Sequence, residues 1–189
     1  ILFRPAFAVQ ARELTQSQTI LQNQIEQLSD HVFEQGAMVI PGEIGYDLNY
    51  YSIKLTSFTG TSTLSTFVGS ILTGGTSGVQ AIVVNTDVTD GTDPNTLYVK
   101  YLKTGTNNIA TVFSDSETIT GVDSTSTSVS AVVATTHTGS AAEIQAGTYY
   151  INGFHVDVTN QTVLLDKYTN EPSYRIGLTI AESYVTSND

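Results

Sequence analysis

The chain has 189 residues, 40% apolar and only 13% charged, with seven Lys+Arg against 18 Asp+Glu for a net charge of −11. That is too apolar for a disordered chain, and the scattered cations (Arg4, Arg12, Lys54, Lys100, Lys103, Lys167 and Arg175) form no track for a nucleic-acid backbone or an anionic membrane. Without cysteine, disulfides and thiolate metal sites are excluded, and no apolar run is long enough to cross a membrane as a helix.

The first residue is Ile1, and no charged-then-apolar leader follows it, so the sequence reads as a piece of a longer polypeptide without a signal peptide. An extended entry, ILFRP, leads into a stretch from Ala8 to Gly36 that lacks Gly and Pro until its last residue. The residue before Pro5 is pushed away from helical geometry, so the helix starts after it, and Gly36 fits the left-handed position that ends one. Leu14, Gln18, Leu21, Ile25, Leu28 and Val32 are spaced 4, 3, 4, 3, 4, which is a coiled-coil seam of nearly three heptads. Gln18, Ile25 and Val32 take the a positions and the three leucines take d. The flanking e and g positions carry Thr15, Gln22, Ser29, Ser17, Gln24 and His31, so charge pairing does not select a partner.

Five apolar seam residues stabilise by roughly 7–15 kcal/mol per helix if fully buried, against an association cost of ~4–15 kcal/mol. The seam alone is therefore marginal. Either the helix packs on its own sheet, or it contacts other chains. A length of about 37 Å is long for a lid on one small sheet and favours the second.

The rest reads as β-structure. The framework comprises 37–59 and 141–189: AMVI, the Pro41-Gly42 turn, NYYSIKLTSF, TYYINGFHVDV, TVLLDKY and YRIGLTIAESYV, dense in Tyr, Val, Ile and Thr. His155–Val158 and Thr162–Leu165 flank Asn160-Gln161, which reads as a hairpin tip. Between the framework pieces lies a Thr/Ser/Gly-rich insert, 60–140. In it TFVGSILTGGTSGVQAIVV and VFSDSETITGVDSTSTSVSAVV share an aromatic, a Ser three residues on, a Thr-Gly turn and an Ala/Val run. Two copies are too few for a solenoid, so a pseudo-symmetric small β-barrel or sandwich is expected. The fold class is thus mainly β with one long N-terminal helix.

Residues 3–42, FRPAFAVQARELTQSQTILQNQIEQLSDHVFEQGAMVIPG, and 147–186, GTYYINGFHVDVTNQTVLLDKYTNEPSYRIGLTIAESYVT, resemble a family of tailed-phage structural proteins that contain a domain of unknown function. Its members are large tail, baseplate or fibre polypeptides of myoviruses, including cyanophages. The resemblance covers under half of the chain. It departs at Ala6, where the family has Gly at the entry turn, and the family continues past residue 189. It implies a virion part assembled in the host cytoplasm, a homotrimer that docks other tail or baseplate proteins.

No chemistry-bearing motif stands out. His155 and Asp157, two apart, share a strand face, as core or surface residues before a dyad or metal pair. His31 and Asp30 do not face each other, and His137 is expected in a solvent-facing Thr-rich loop. Asp87, Asp90 and Asp93 miss the spacing of a calcium loop, and TGGTSG lacks the Lys-Ser/Thr ending of a phosphate loop and reads as a turn. Tyr46, Tyr50 and Tyr51 could stack on sugars, but strand packing is the simpler expectation. The reading is a non-enzymatic structural protein without cofactor or metal, whose oligomer interface is Leu14, Gln18, Leu21, Ile25, Leu28 and Val32. Its rivals are a receptor- or glycan-binding fibre module and the N-terminal part of a tailspike enzyme.

Overall fold

A computed structural model describes residues 8–61, 63–123 and 125–183. The ILFRP entry, the Ala6 departure and the YVTSND tail from Tyr184 onward lie outside the described residues. The fold is mainly β with a single helix near the N-terminus. The chain divides into two compact units, one of residues 1–45 and 143–162, the other of 46–142 and 163–189.

In the first unit a helix, α1 (Ala11–Val32), precedes a three-stranded antiparallel sheet of β1 (Met38–Ile40), β8 (Gly147–Ile151) and β9 (Phe154–Val158), in the order β1-β8-β9. Two expectations are corrected here. The helix stops at Val32, and Gly36, at φ +82°, belongs to the turn that follows, where its N–H donates to Tyr150 O. The hairpin tip is Asn152-Gly153, not Asn160-Gln161. Asn152 and Gly153 have φ of +47° and +86°, the left-handed pair that two-residue hairpins need. The strand after Asn160, β10 (Gln161–Asp166), leaves β9 and joins the other sheet.

The second unit holds a ring-like sheet. Its strands are β2 (Ile44–Thr59), β3 (Ile71–Gly74), β4 (Gln80–Asp87), β5 (Thr96–Lys103), β6 (Thr118–Val122) and β7 (Ser128–Ile144). They hydrogen-bond in the order β7-β2-β5-β4-β3-β6, and β6 pairs back to β7 to close the ring; β10 adds to β7 outside it. The strands of the 60–140 segment share one sheet with β2, which lies between β7 and β5, and closing the ring leaves no unpaired edge among them. Leu72, Val79, Ala81, Val83, Ile119, Val129, Ala131 and Val133, all buried, fill the interior with Ile53, Phe67, Leu97, Val99 and Phe113.

The two similar stretches take equivalent places in the strand pairing. Adding 47 to a β3 number gives its β6 counterpart, and adding 50 to a β4 number gives its β7 counterpart. Ile71↔Ile82 and Leu72↔Ala81 in the first hairpin thus become Thr118↔Val132 and Ile119↔Ala131 in the second. β3 and β6 pair with each other through Leu72↔Gly121, Thr73↔Thr120 and Gly74↔Ile119. β2 and β5 pair through Tyr51↔Val99, Ser52↔Tyr98 and Ile53↔Leu97. Gly69 (φ +85°) and its counterpart Ser116 (φ +63°) share one device: each donates its N–H to a core valine carbonyl, Val83 O and Val133 O, at 2.8 and 2.9 Å.

The end of the chain departs from expectation. YRIGLTIAESYV reads as a strand, yet residues 170–183 form no regular secondary structure, and 173–183 are exposed.

Candidate assembly surface

The surface begins with α1. Twenty-two residues without Gly or Pro permit an uninterrupted helix. Its start is closed by Glu13, whose carboxylate accepts the Gln10 N–H at 3.0 Å. Near the other end one side of the helix is anchored to its own sheet. The Tyr150 hydroxyl on β8 donates to Asp30 Oδ1 at 2.6 Å and also reaches Glu26 O at 3.4 Å. The rings of Phe33, Tyr150 and His155 cluster with centroids 5.7–6.1 Å apart. Asn152 N–H donates to Gln35 Oε1, and Ser29 is buried. Gly153 must be glycine on two counts: its φ is positive, and a Cβ would stand 2.8 Å from the Glu26 side chain.

Glu26, Ser29 and Asp30 fall at heptad positions b, e and f. At 100° per residue this flank lies ~120° around the helix from the a/d seam. The own-sheet contact therefore uses a different side from the seam. Leu14, Gln18, Leu21, Ile25, Leu28 and Val32 are all exposed, the apolar five from 43% at Ile25 to 68% at Leu28. Along residues 11–25 every position except Glu13 is exposed. The three-stranded sheet occupies the e flank at Ser29 and leaves a and d uncovered.

The electrostatics of the contact are set by Tyr150. Its hydrogen bond to Asp30 and its burial push the phenol up to about 12. His155 faces the helix with Tyr150, while Asp157 accepts from Thr148 Oγ1 at 2.7 Å, so these two residues serve packing and a local hydrogen bond. His31 is exposed on the helix.

Other sequence candidates are absorbed by the second unit. His137 is on β7, half-buried, with Nε2 3.0 Å from Thr135 Oγ1 and its ring 5.2 Å from Tyr168, not in a solvent-facing loop. Asp87 and Asp93 do converge on a cation, but it is Lys167, at 2.7 and 3.3 Å, whose ammonium is held well above its ordinary range by the two carboxylates. Asp90 accepts the Thr92 and Asp93 N–H groups of its own turn. The Gly-rich TGGTSG turn carries an internal anion. Glu117 accepts the N–H groups of Thr76 and Ser77, the Ser77 hydroxyl and the Ser114 N–H at 2.6–3.0 Å. Burial raises this carboxyl, but the four donors outweigh that and hold it below the usual glutamate range. Tyr50 stacks on Tyr98 and Tyr51 packs edge-on against Tyr101, whereas Tyr46 is exposed.

Among the described residues no group of three or more His, Asp or Glu could hold a metal ion, and no helix is long and apolar enough to cross a membrane. In comparison with known proteins, no family model matches the chain, and no curated protein or solved structure matches it.

Proposed function

We propose that the chain is a structural component of a tailed-phage virion, in the tail, baseplate or fibre, acting by homo-oligomeric assembly through α1 and by docking neighbouring tail proteins. The observation that carries this reading is the seam. Five large apolar side chains in a/d register are exposed on a helix whose other flank is already anchored by Tyr150. A helix of this length is marginal alone in water, so its free half calls for a partner with the same periodicity. A second copy supplies it.

In the assembly α1 forms a parallel coiled coil with the Gln18 side chains making a polar layer that fixes register. The three-stranded sheet hangs on the outside, because it occupies the b/e/f flank. The ring closes as a small barrel that forms part of the particle's body. Three copies are the number the resemblance of residues 3–42 and 147–186 implies, and that resemblance also carries the virion assignment. Two measurements test the reading. The mass in solution should be three times that of the chain. Peptides of the chain should be recovered from purified phage particles in a multiple of three per tail. A monomeric mass overturns the assembly, and absence from particles overturns the virion role.

A further inference from the structure

Residues 174–180, YRIGLTI, have the composition of a strand but no sheet. Tyr174, Ile176, Leu178 and Ile180 alternate with Arg175, Gly177 and Thr179, so in a strand all four large apolar groups share one face. All four are exposed, between 39% and 60%. The Tyr174 hydroxyl donates to Asp166 Oδ1 at 3.3 Å, which ties the start of the segment to the end of β10. Arg175 makes no ion pair among the described residues.

The same chain carries an edge that complements this pattern. β9 is the last strand of the β1-β8-β9 sheet, and no described strand pairs with its outer side. Tyr150 shows which β9 groups are free. Its N–H donates to Ala37 O and its C=O accepts from Gly36 N, so both point towards β1. Its partner across the β8–β9 ladder, His155, is then in a non-hydrogen-bonded pair, and the backbone N–H and C=O of His155 and Asp157 point to the open edge. Phe154 and Val156, exposed at 60% and 40%, share a face with Val158, while His155 and Asp157 share the other.

We propose that residues 174–180 of one copy add as a strand to the free edge of β9 in a second copy. The apolar face of the incoming strand extends the Phe154/Val156/Val158 face, and Arg175 on its polar side meets Asp157. This charge match selects the occupant: the segment carries one cation and no acid, and the polar side of β9 carries a carboxylate. Backbone bonds to the His155 and Asp157 groups supply affinity, and the alternating side chains set register. The contact is separate from the α1 seam and stands or falls independently of it.

The absence of native cysteine makes a direct test possible. Chains carrying only Val156→Cys are mixed under mild oxidation with mass-tagged chains carrying only Ile176→Cys, and in a parallel mixture with Leu178→Cys to cover a two-residue shift of register. The proposal expects a disulfide between differently tagged chains in at least one mixture. No disulfide between differently tagged chains in either mixture overturns it. Amide exchange on the unmodified chain provides the second reading. In this antiparallel pairing the incoming N–H groups that face His155 and Asp157 belong to the polar-side residues. The His155 and Asp157 N–H should therefore exchange at least ten-fold faster once Gly177→Pro and Thr179→Pro remove the incoming strand's capacity to pair. Unchanged rates at these two amides also overturn the proposal.

Discussion

The Tyr150 hydroxyl meets Asp30 across 2.6 Å, and this short bond, with the longer reach to Glu26 O, ties the helix to the sheet of the first unit on a flank away from its leucines. Tyr150→Phe keeps the ring stack with Phe33 and His155 and removes only this donor. We expect the variant to unfold at a lower temperature, and faster amide exchange at Glu26 to Val32, while the mass of the assembly is unchanged. Loss of the assembly in this variant would show that seam and anchor are one unit.

The same bond makes a prediction on the alkaline side. The Tyr150 phenol is raised to about 12, above the ordinary tyrosine value of about 10. A group whose pKa is raised by folding contributes stability that is complete below the unfolded value and is lost as pH rises through the folded one. Helix anchoring should therefore weaken between pH ~10 and ~12, followed by tyrosinate absorbance together with amide exchange in α1. Tyr150→Phe should abolish this dependence. A wild-type titration that completes near pH 10 with no late phenol would contradict it.

Glu117 predicts the opposite sign. Its carboxyl lies below the ordinary glutamate value of about 4.3 because Thr76, Ser77 and Ser114 donate to it. The stability it contributes is present above that value and is lost as pH falls through the lower folded one. Glu117→Ala takes the acceptor from these part-buried donors and should cost about 1–3 kcal/mol at neutral pH. The variant should also lose part of the acid dependence of unfolding, measured in urea from pH 7 to pH 3. An unchanged midpoint at pH 7 would show that water replaces the carboxylate.

Leu72 and Ile119 hold equivalent places in the two similar hairpins, and both are wholly buried in the ring. Leu72→Ala and Ile119→Ala should each cost 2–5 kcal/mol, as large-to-small core changes do. Ile71, next along β3 but 51% exposed, should lose less than about 1 kcal/mol on replacement by Ala. Denaturant unfolding of the three variants decides this. Unequal costs at 72 and 119 would mean that the two halves share a pattern but not a packing role.

What could be read from the sequence was whatever local periodicity encodes. The helix, its seam and the twin hairpins are written in spacings of 3.6 and 2 within single stretches. The Asn152-Gly153 tip was also written locally, in the strongest two-residue turn signal, but Asn160-Gln161 between two apolar runs competed with it. Which sheet a strand joins is not local, so β10 was assigned to β9 when it pairs with β7. The same holds for Lys167, 74 residues from Asp93, and for Glu117, whose four donors come from two separate turns. The flank of α1 that meets the sheet was missed because Glu26, Ser29 and Asp30 look like a solvated face until Tyr150 and Gly153 are set against them. Residues 174–180 show the converse. Their period of two is plain, but period alone does not say which sheet receives them.

Equilibrium sedimentation of the wild-type chain beside Leu21→Asp/Leu28→Asp tests the central claim most directly. Both leucines are exposed in a single chain, so the double change should leave the β circular dichroism intact. Wild type should sediment as a multimer and the variant as a monomer. A monomeric wild type, or a variant that assembles as wild type does, would contradict assembly through the α1 seam.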